Sequence, residues 1–272
     1  MYKKEWDLRR DLCEVAHRLY LAGFMAGSDG NLSTILDENE ILITPSRLSK
    51  GYLEPDQIVK IDRQGLQISG DLPPSVESPM HLMAYQERPD VCSVVHCHPP
   101  FLVAFTVAGC ELPSGILPEI ETIFGGELPL VPYATPGGPD LAESIRPYIS
   151  KRTVTVILLD HHGVLAVGQD IYQAGMKVEH AEAAGKVIYY ARQLGGEKPL
   201  SPGSLEKIYS VRQNIIELEE KVYPGYCHAP ECDTKSSTVA RQPVATSNSS
   251  ISDQDLETEI LEIIKKYQLA RK

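Results

Sequence analysis

Two short apolar segments, each ending in histidines, constrain this chain more than any other feature. The run at 91–95 leads into His96-Cys97-His98, and the run at 153–159 leads into His161-His162. Their many β-branched residues predict buried strands. Residues i and i+2 of a strand point to the same face, so His96 and His98 can reach one ion, whereas only one of the adjacent pair can join them. Three imidazoles would leave one coordination position open, as in catalytic zinc sites.

The remaining pattern predicts an α/β fold. Apolar residues at helical spacing predict helices, and short alternating runs around polar turns predict two hairpins. The predicted helices are at 5–23, 78–87, 139–150, 171–193 and 205–218, and the predicted hairpins are at 31–44 and 58–69. Strands and helices do not alternate regularly, so we expect a mixed or antiparallel sheet covered by helices. The middle of the chain, up to residue 133, is predicted to be rich in loops. There Glu119 and Glu121 alternate with apolar residues, which is typical of a solvated strand face.

Composition excludes several classes of partner. The chain has 272 residues, of which 42% are hydrophobic, enough to bury a sizeable core. Its 37 acidic and 26 basic residues give a net charge of −11, which argues against nucleic acid or an anionic membrane as the main partner. We see neither a membrane-spanning apolar run nor a secretory signal, and expect a cytoplasmic protein. Six cysteines are too few for a disulfide scaffold, so reduced thiols are expected.

The composition changes abruptly after Tyr226. Residues 229–250 are rich in Ser and Thr and carry few large apolar side chains, which predicts a disordered linker. Residues 251–272 form a helical stripe of apolar side chains, Leu256, Ile260, Ile263, Ile264 and Tyr267. We therefore predict a folded domain at 1–228, the linker, and an amphipathic helix that docks on a partner.

Two further features could contribute to a site around the histidines. Glu77 lies 19 positions before His96, and a carboxylate beside a metal can act as a ligand or a general base. At the start of a helix, such a residue equally fits an exposed glutamate favoured by the helix dipole. The turns at 27–31 and 44–47 are rich in hydroxyl and amide donors that could hold a phosphate, although such residues are common in any turn.

In combination, these motifs resemble the class II aldolase/adducin family over residues 5–225. The matching motifs are GNLS at 30–33, TPS at 44–46, SVE at 75–77, VVHCH at 94–98, YATPG at 133–137 and HHG at 161–163. The resemblance implies a three-layer α/β/α fold with a central mixed, largely antiparallel sheet. The most similar branch is the fuculose-phosphate aldolases. It implies a zinc-dependent enzyme that cleaves a ketose 1-phosphate, such as L-fuculose 1-phosphate, to dihydroxyacetone phosphate and lactaldehyde.

The resemblance also implies roles for individual residues. One Zn²⁺ per subunit would be bound by four side chains, Glu77, His96, His98 and His162, and Glu77 would then move aside as the catalytic acid/base. The phosphate would be held by three turns, Gly30 with Asn31, Ser46 with Arg47, and Ser75 with Val76. Here Arg47 stands where a glycine is usual, and Val76 replaces a serine. Glu119 stands near a tyrosine of the fuculose enzymes and is a candidate second acid/base.

Alternatives remain open at this point. Within the family they are methylthioribulose-1-phosphate dehydratase, whose acid/base glutamate lies near the position of Glu119, and the pentulose-phosphate 4-epimerases. An alternative of another class is a non-catalytic, adducin-like interaction module, which is expected to lack the metal ligands. The family is typically homotetrameric. The C-terminal tail is similar to encapsulation peptides of bacterial microcompartment enzymes, which implies a shell protein as partner of 251–272.

Overall fold

An eight-stranded sheet organises residues 4–222, the part of the chain that this computed structural model describes. The strands are β1 (Asn31–Ile35), β2 (Glu40–Ile43), β3 (Val59–Asp62), β4 (Gln67–Ser69), β5 (Ser93–Cys97), β6 (Leu130–Val131), β7 (Val156–Leu159) and β8 (Gly163–Gly168). Their order across the sheet is β4-β3-β2-β1-β5-β8-β7-β6. Only β6 and β7 pair in parallel; the other neighbours are antiparallel. The predicted mixed, largely antiparallel sheet is confirmed.

Helices cover both faces of this sheet. They are α1 (Glu5–Leu21), α2 (Ser78–Glu87), α3 (Pro100–Val107), α4 (Pro118–Phe124), α5 (Pro139–Ile149), α6 (Ile171–Gln193) and α7 (Pro202–Val222). One core contains buried side chains of α1, α3, α4 and α6, and the other contains those of α2 and α5. Successive strand residues point to opposite faces, so Leu42 packs in the first core while Ile41 and Ile43 pack in the second. The three-layer α/β/α architecture is therefore confirmed.

The loop-rich middle is where the sequence-based expectation was wrong. Helices α3 and α4 both lie there. Helix α3 has the sequence PFLVAFTV, which is apolar on almost every side and so carries no amphipathic stripe. Glu119 and Glu121 lie on α4 rather than on a strand. A seven-residue helix is too short for its periodicity to be distinguished from alternation.

Glu121 also differs from its predicted environment. We expected a solvated side chain, but it is fully buried. Its carboxylate accepts hydrogen bonds from the Ser114 hydroxyl at 3.0 Å, from the Gly115 N–H at 2.5 Å, and from the Tyr209 hydroxyl. Burial of a carboxylate is tolerated because these donors replace water. Glu121 thereby links α4 to α7, whereas Glu119 is exposed.

Other expectations have mixed outcomes. Among the described residues, Cys13, Cys97 and Cys110 are free thiols as expected, but Cys92 is in a disulfide bond, so the expectation was wrong there. All described residues belong to one compact unit. Within 4–222, no helix is both long and apolar enough to cross a bilayer. The predicted linker at 229–250 and docking helix at 251–272 lie outside the described residues.

Candidate metal centre

Three imidazoles converge where β5 ends and β8 begins. His96 is on β5, His98 follows that strand directly, and His162 immediately precedes β8. The two strands are paired, with His96 opposite Leu165, so sheet formation brings the rings together. One ring nitrogen from each lies within 4.8 Å of the others, and the Nε2 atoms of His96 and His98 are 3.1 Å apart. His96 and His98 thus lie on the same side, as their i, i+2 spacing predicts.

The turn before β8 determines which histidine of the adjacent pair enters the cluster. His161 has a φ of 54°, in the left-handed region, and its side chain is 55% exposed and paired with Asp160 at 2.7 Å. The side chain of His162 is only 9% exposed. Gly163 follows, and a Cβ there would lie 2.5 Å from both the Cys97 carbonyl oxygen and Cδ2 of His98. A glycine is therefore required for this close approach.

Glu77 closes the fourth side of the cluster. It lies directly before α2, and its two carboxylate oxygens are 3.3 Å from His96 Nε2 and 3.2 Å from His162 Nε2. The Asn31 side-chain amide donates a hydrogen bond to Oε2 at 2.7 Å. Burial raises the pKa of Glu77, but His96, His162 and the Asn31 amide lower it by more, so its pKa lies well below the usual range. The carboxylate is ionised at neutral pH.

The protonation of the imidazoles determines what the cluster can bind. Nδ1–H of His96 donates to the Val164 carbonyl at 2.8 Å, which leaves the Nε2 lone pair facing the cluster. Burial lowers the pKa of His96 to about 3 and also lowers that of His98, so both rings are neutral at pH 7. The Nε2 lone pair of His96 and the ionised carboxylate of Glu77 thus face one point as electron-pair donors, the arrangement that a cation requires. This donor set fits Zn²⁺.

Contacts behind the cluster orient two of the rings. His98 Nδ1 faces Asp29 at 3.6 Å, and the Val164 carbonyl fixes His96 as described. Ligating histidines in metal sites usually have such a carboxylate or carbonyl on the other ring nitrogen. His162 Nδ1 is buried and has no hydrogen-bond partner within residues 4–222.

The turns predicted to hold a phosphate lie beside one another. Ser46 N–H donates to the Pro73 carbonyl, the Ser46 hydroxyl donates to the Pro74 carbonyl at 2.8 Å, and the Val76 N–H donates to the Ser46 hydroxyl at 3.1 Å. Arg47 is exposed and has a φ of 62°, the conformation that a glycine would adopt without strain. The Ser75 hydroxyl accepts from the Glu77 N–H at 3.3 Å. This turn therefore borders the metal cluster.

The turn at Gly30 and Asn31 also contacts the metal cluster, through the Asn31 side chain. Gly30 has a φ of 73°, and a Cβ there would lie 2.9 Å from the His96 carbonyl oxygen. The Asn31 side chain is buried and hydrogen-bonded to Glu77 and His81. Lys50, also buried, donates to the Ser28 carbonyl at 2.9 Å and to the Leu48 carbonyl at 2.7 Å, so it connects this turn to the segment after Arg47.

Sequence analysis gave no individual role to four of these residues, Asp29, Lys50, His81 and Gly163. For Gly163, the HHG motif contained the signal, because a glycine directly after a ligand candidate indicates close packing. For His81, the signal was the i, i+4, i+8 spacing of Glu77, His81 and Tyr85 along a predicted helix. For Lys50 and Asp29 we find no local signal, because their roles depend on contacts between distant segments.

Comparison with known proteins shows which family this chain belongs to. Residues 10–189 match the model of the Class II Aldolase and Adducin N-terminal domain. The chain is 32% identical to a 3-oxo-tetronate 4-phosphate decarboxylase of Cupriavidus necator, covering 67% of this chain and 84% of that protein. It is also 32% identical to an L-fuculose phosphate aldolase of Methanococcus maripaludis, covering 67% and 96%.

A solved structure agrees with these sequence matches. The structure of an L-fuculose 1-phosphate aldolase superposes with a TM-score of 0.69 at 26% identity, covering 76% of this chain and 96% of that one. The family model spans more than half of the chain, including Glu77, both strand-end motifs and the predicted phosphate turns. The chain belongs to the class II aldolase and adducin family.

Proposed function

We propose that this protein cleaves a ketose 1-phosphate, such as L-fuculose 1-phosphate, to dihydroxyacetone phosphate and lactaldehyde. Membership of the family makes it a metal-dependent lyase. The observation that carries the proposal is the convergence of three imidazoles with the ionised carboxylate of Glu77. A module without catalytic function would not need this buried set of donors.

The chain's own residues would divide the work as follows. His96, His98 and His162 would hold one Zn²⁺, which supplies positive charge where negative charge develops as the carbon–carbon bond breaks. Glu77 would leave the imidazoles when substrate enters. Its carboxylate loses the neighbours that lower its pKa, so Oε1 and Oε2 become better proton acceptors and can exchange a proton with the substrate. Glu119, exposed on α4, stays a candidate for a second acid/base.

The phosphate would lie over the neighbouring turns. The Arg47 guanidinium would supply the positive charge, with donors from the turns at Gly30 and Asn31, Ser46, and Ser75 and Val76. Val76 is 67% exposed and offers no side-chain donor, so its turn would contribute less than a serine would. In an acidic chain, such local donors are needed to retain an anion.

The adjacent histidines provide a matched test of this proposal. We expect His162→Asn to lose bound zinc and at least 1000-fold in kcat/KM for L-fuculose 1-phosphate, whereas His161→Asn keeps its zinc and stays within about threefold of the parent. Zinc is measured by elemental analysis and turnover by the release of dihydroxyacetone phosphate. Equal effects of the two variants, or turnover that survives chelation, would contradict the proposed site. A chain indifferent to zinc would favour the adducin-like module.

A second candidate is favoured by relatives 30–32% identical that are 3-oxo-tetronate 4-phosphate decarboxylases. Loss of CO₂ from that acid and cleavage of L-fuculose 1-phosphate leave the same three-carbon enediolate, which gives dihydroxyacetone phosphate in both cases. Decarboxylation differs because no hydroxyl proton has to be removed from the departing fragment. One enzyme preparation should therefore be assayed with both substrates, scoring lactaldehyde against CO₂. The panel should include substrates of the dehydratase and 4-epimerase branches.

The proposal extends to assembly. We propose a homotetramer, to be measured by light scattering, and a tail at 251–272 that binds a microcompartment shell protein. Deleting 229–272 should abolish co-purification with shell proteins while leaving turnover by the catalytic domain at 1–228 unchanged. Unchanged co-purification would show that the tail has another role.

A further inference from the structure

A chain of buried polar side chains runs from Glu77 into the interior. The Asn31 amide contacts Glu77, Asn31 Oδ1 lies 2.5 Å from His81 Nε2, His81 Nδ1 lies 2.7 Å from the Ser33 hydroxyl, and that hydroxyl lies 2.6 Å from the Tyr85 hydroxyl. Asn31, Ser33, His81 and Tyr85 are each at most 5% exposed. Water therefore does not compete for these hydrogen bonds.

Two regular elements hold these residues in register. Asn31 and Ser33 are two apart on β1 and share one face of the strand. Glu77, His81 and Tyr85 are four apart, so they share one face of α2 and the residue that precedes it. The polar face of the strand thus meets the polar face of the helix along its length. Because Asn31 pairs with His96 across β1 and β5, the same contacts tie Glu77 to the strand that carries the imidazoles.

The donor and the acceptor in each of these hydrogen bonds can be assigned by starting from Glu77. The ionised carboxylate of Glu77 can only accept, so Asn31 presents its NH₂ group there and its oxygen to His81. His81 Nε2 must then carry the hydrogen, and Nδ1 must accept. The Ser33 hydroxyl donates to Nδ1 and accepts from the Tyr85 hydroxyl. Burial lowers the pKa of His81 to about 4, which agrees with a neutral ring.

We propose that His81 is a positioning residue, which fixes the Asn31 amide so that its NH₂ group faces Glu77 and holds that carboxylate against the imidazoles. Without the His81 N–H, the buried Asn31 oxygen has no donor, and an unpaired buried amide oxygen is unfavourable. The amide would then be free to rotate toward another donor, and its NH₂ group would no longer be held against the carboxylate. His81 also keeps the amide in place when Glu77 changes position. This inference rests on the proposed metal site, but its tautomer prediction does not.

The test compares variants of the full-length chain. Zn²⁺ affinity is measured by competition with a chelator at pH 7.5 for His81→Leu, which removes the donor, and His81→Gln, whose amide can donate in place of Nε2–H. Met83→Ala is the control for loosened packing of α2, since Met83 is buried but outside the polar chain. We expect His81→Leu to bind Zn²⁺ about 10- to 100-fold more weakly. His81→Gln and Met83→Ala should stay within about threefold of the parent.

A second measurement remains informative if His81→Leu does not fold. Nitrogen-15 chemical shifts of His81 in the parent chain should show hydrogen on Nε2 and none on Nδ1. Hydrogen on Nδ1, or wild-type Zn²⁺ affinity in folded His81→Leu, would overturn the inference. Equal weakening by His81→Leu and Met83→Ala would also overturn it, because the effect would then be one of packing. Absence of Zn²⁺ binding by the parent protein would instead refute the proposed function. The tautomer of His81 would still show whether the buried hydrogen bonds have the donors and acceptors assigned above.

Discussion

Replacing Lys50 with methionine should remove a specific part of the pH dependence of stability. The Lys50 side chain is 1% exposed, and its two hydrogen-bond acceptors, the carbonyls of Ser28 and Leu48, are both uncharged. Burial lowers its pKa from 10.5 to about 8, although Asp29 and Glu77 act in the opposite direction. A neutral amine still has two N–H groups, so it can satisfy both carbonyls.

The sign of the effect follows from proton counting. Between pH 8 and 10.5 the unfolded chain holds a proton on Lys50 that the folded chain has lost, so the free energy of unfolding rises with pH in this window. The interval between 10.5 and about 8 corresponds to about 3 kcal/mol, at about 1.4 kcal/mol per pH unit. This stabilisation develops as pH rises through 8 and is complete near 10.5. Methionine does not titrate and lacks it.

Urea unfolding of both proteins at several pH values between 7 and 10.5 measures this difference. The parent should gain about 3 kcal/mol relative to Lys50→Met across the range. Lys60→Met is the matched control: burial lowers the pKa of Lys60, but Glu5 and Glu40 raise it by more, so its charge is kept over most of this range. Its difference from the parent should stay level up to about pH 10. A level or falling difference for Lys50→Met would refute the reasoning.

Three further predictions concern the surroundings of the site. Gly163→Ala should destabilise the fold by about 2 kcal/mol and weaken Zn²⁺ binding, because the new Cβ would overlap the Cys97 carbonyl and the His98 ring; thermal unfolding and metal titration measure both. Arg47→Gly should raise the unfolding free energy by about 1 kcal/mol by relieving the left-handed backbone, yet raise KM for a phosphorylated substrate. Unchanged KM would exclude Arg47 from the phosphate turns. Glu182→Gln should cost about 1 kcal/mol in urea unfolding, since both carboxylate oxygens accept N–H groups of the first turn of α3; no loss would mean that this cap is dispensable.

Local periodicity predicted the elements whose pattern is visible in one segment. The helices predicted at 5–23 and 139–150 and both hairpins match the structure closely, because an apolar stripe or an alternating run is a property of neighbouring residues. Helix α3 was missed because it is apolar all round, and α4 because it is too short. Both segments are helical because of how they are buried in the tertiary structure, and the local sequence pattern does not show that burial.

The same division holds within the site. The i, i+2 argument placed His96 and His98 on one face, and the structure brings one histidine of the adjacent pair, His162, beside them. Which of the pair enters depends on the left-handed backbone at His161, a feature of the folded turn. The contacts of Asp29 with His98 and of Asn31 with Glu77 join segments far apart in the chain, so no local sequence pattern predicts them.

The pairing of β5 with β8 has a consequence for how this protein folds. His98 and His162 are 64 positions apart, and α3, α4, β6, α5 and β7 lie between the two strands in the chain. Such non-local pairing closes slowly, because the entropy of a long loop must be lost before its contacts form. We therefore expect the three imidazoles to meet late in folding. On the proposal that these imidazoles bind Zn²⁺, a zinc-responsive dye present during refolding should report uptake of the ion when β5 pairs with β8, later than the burial of apolar surface.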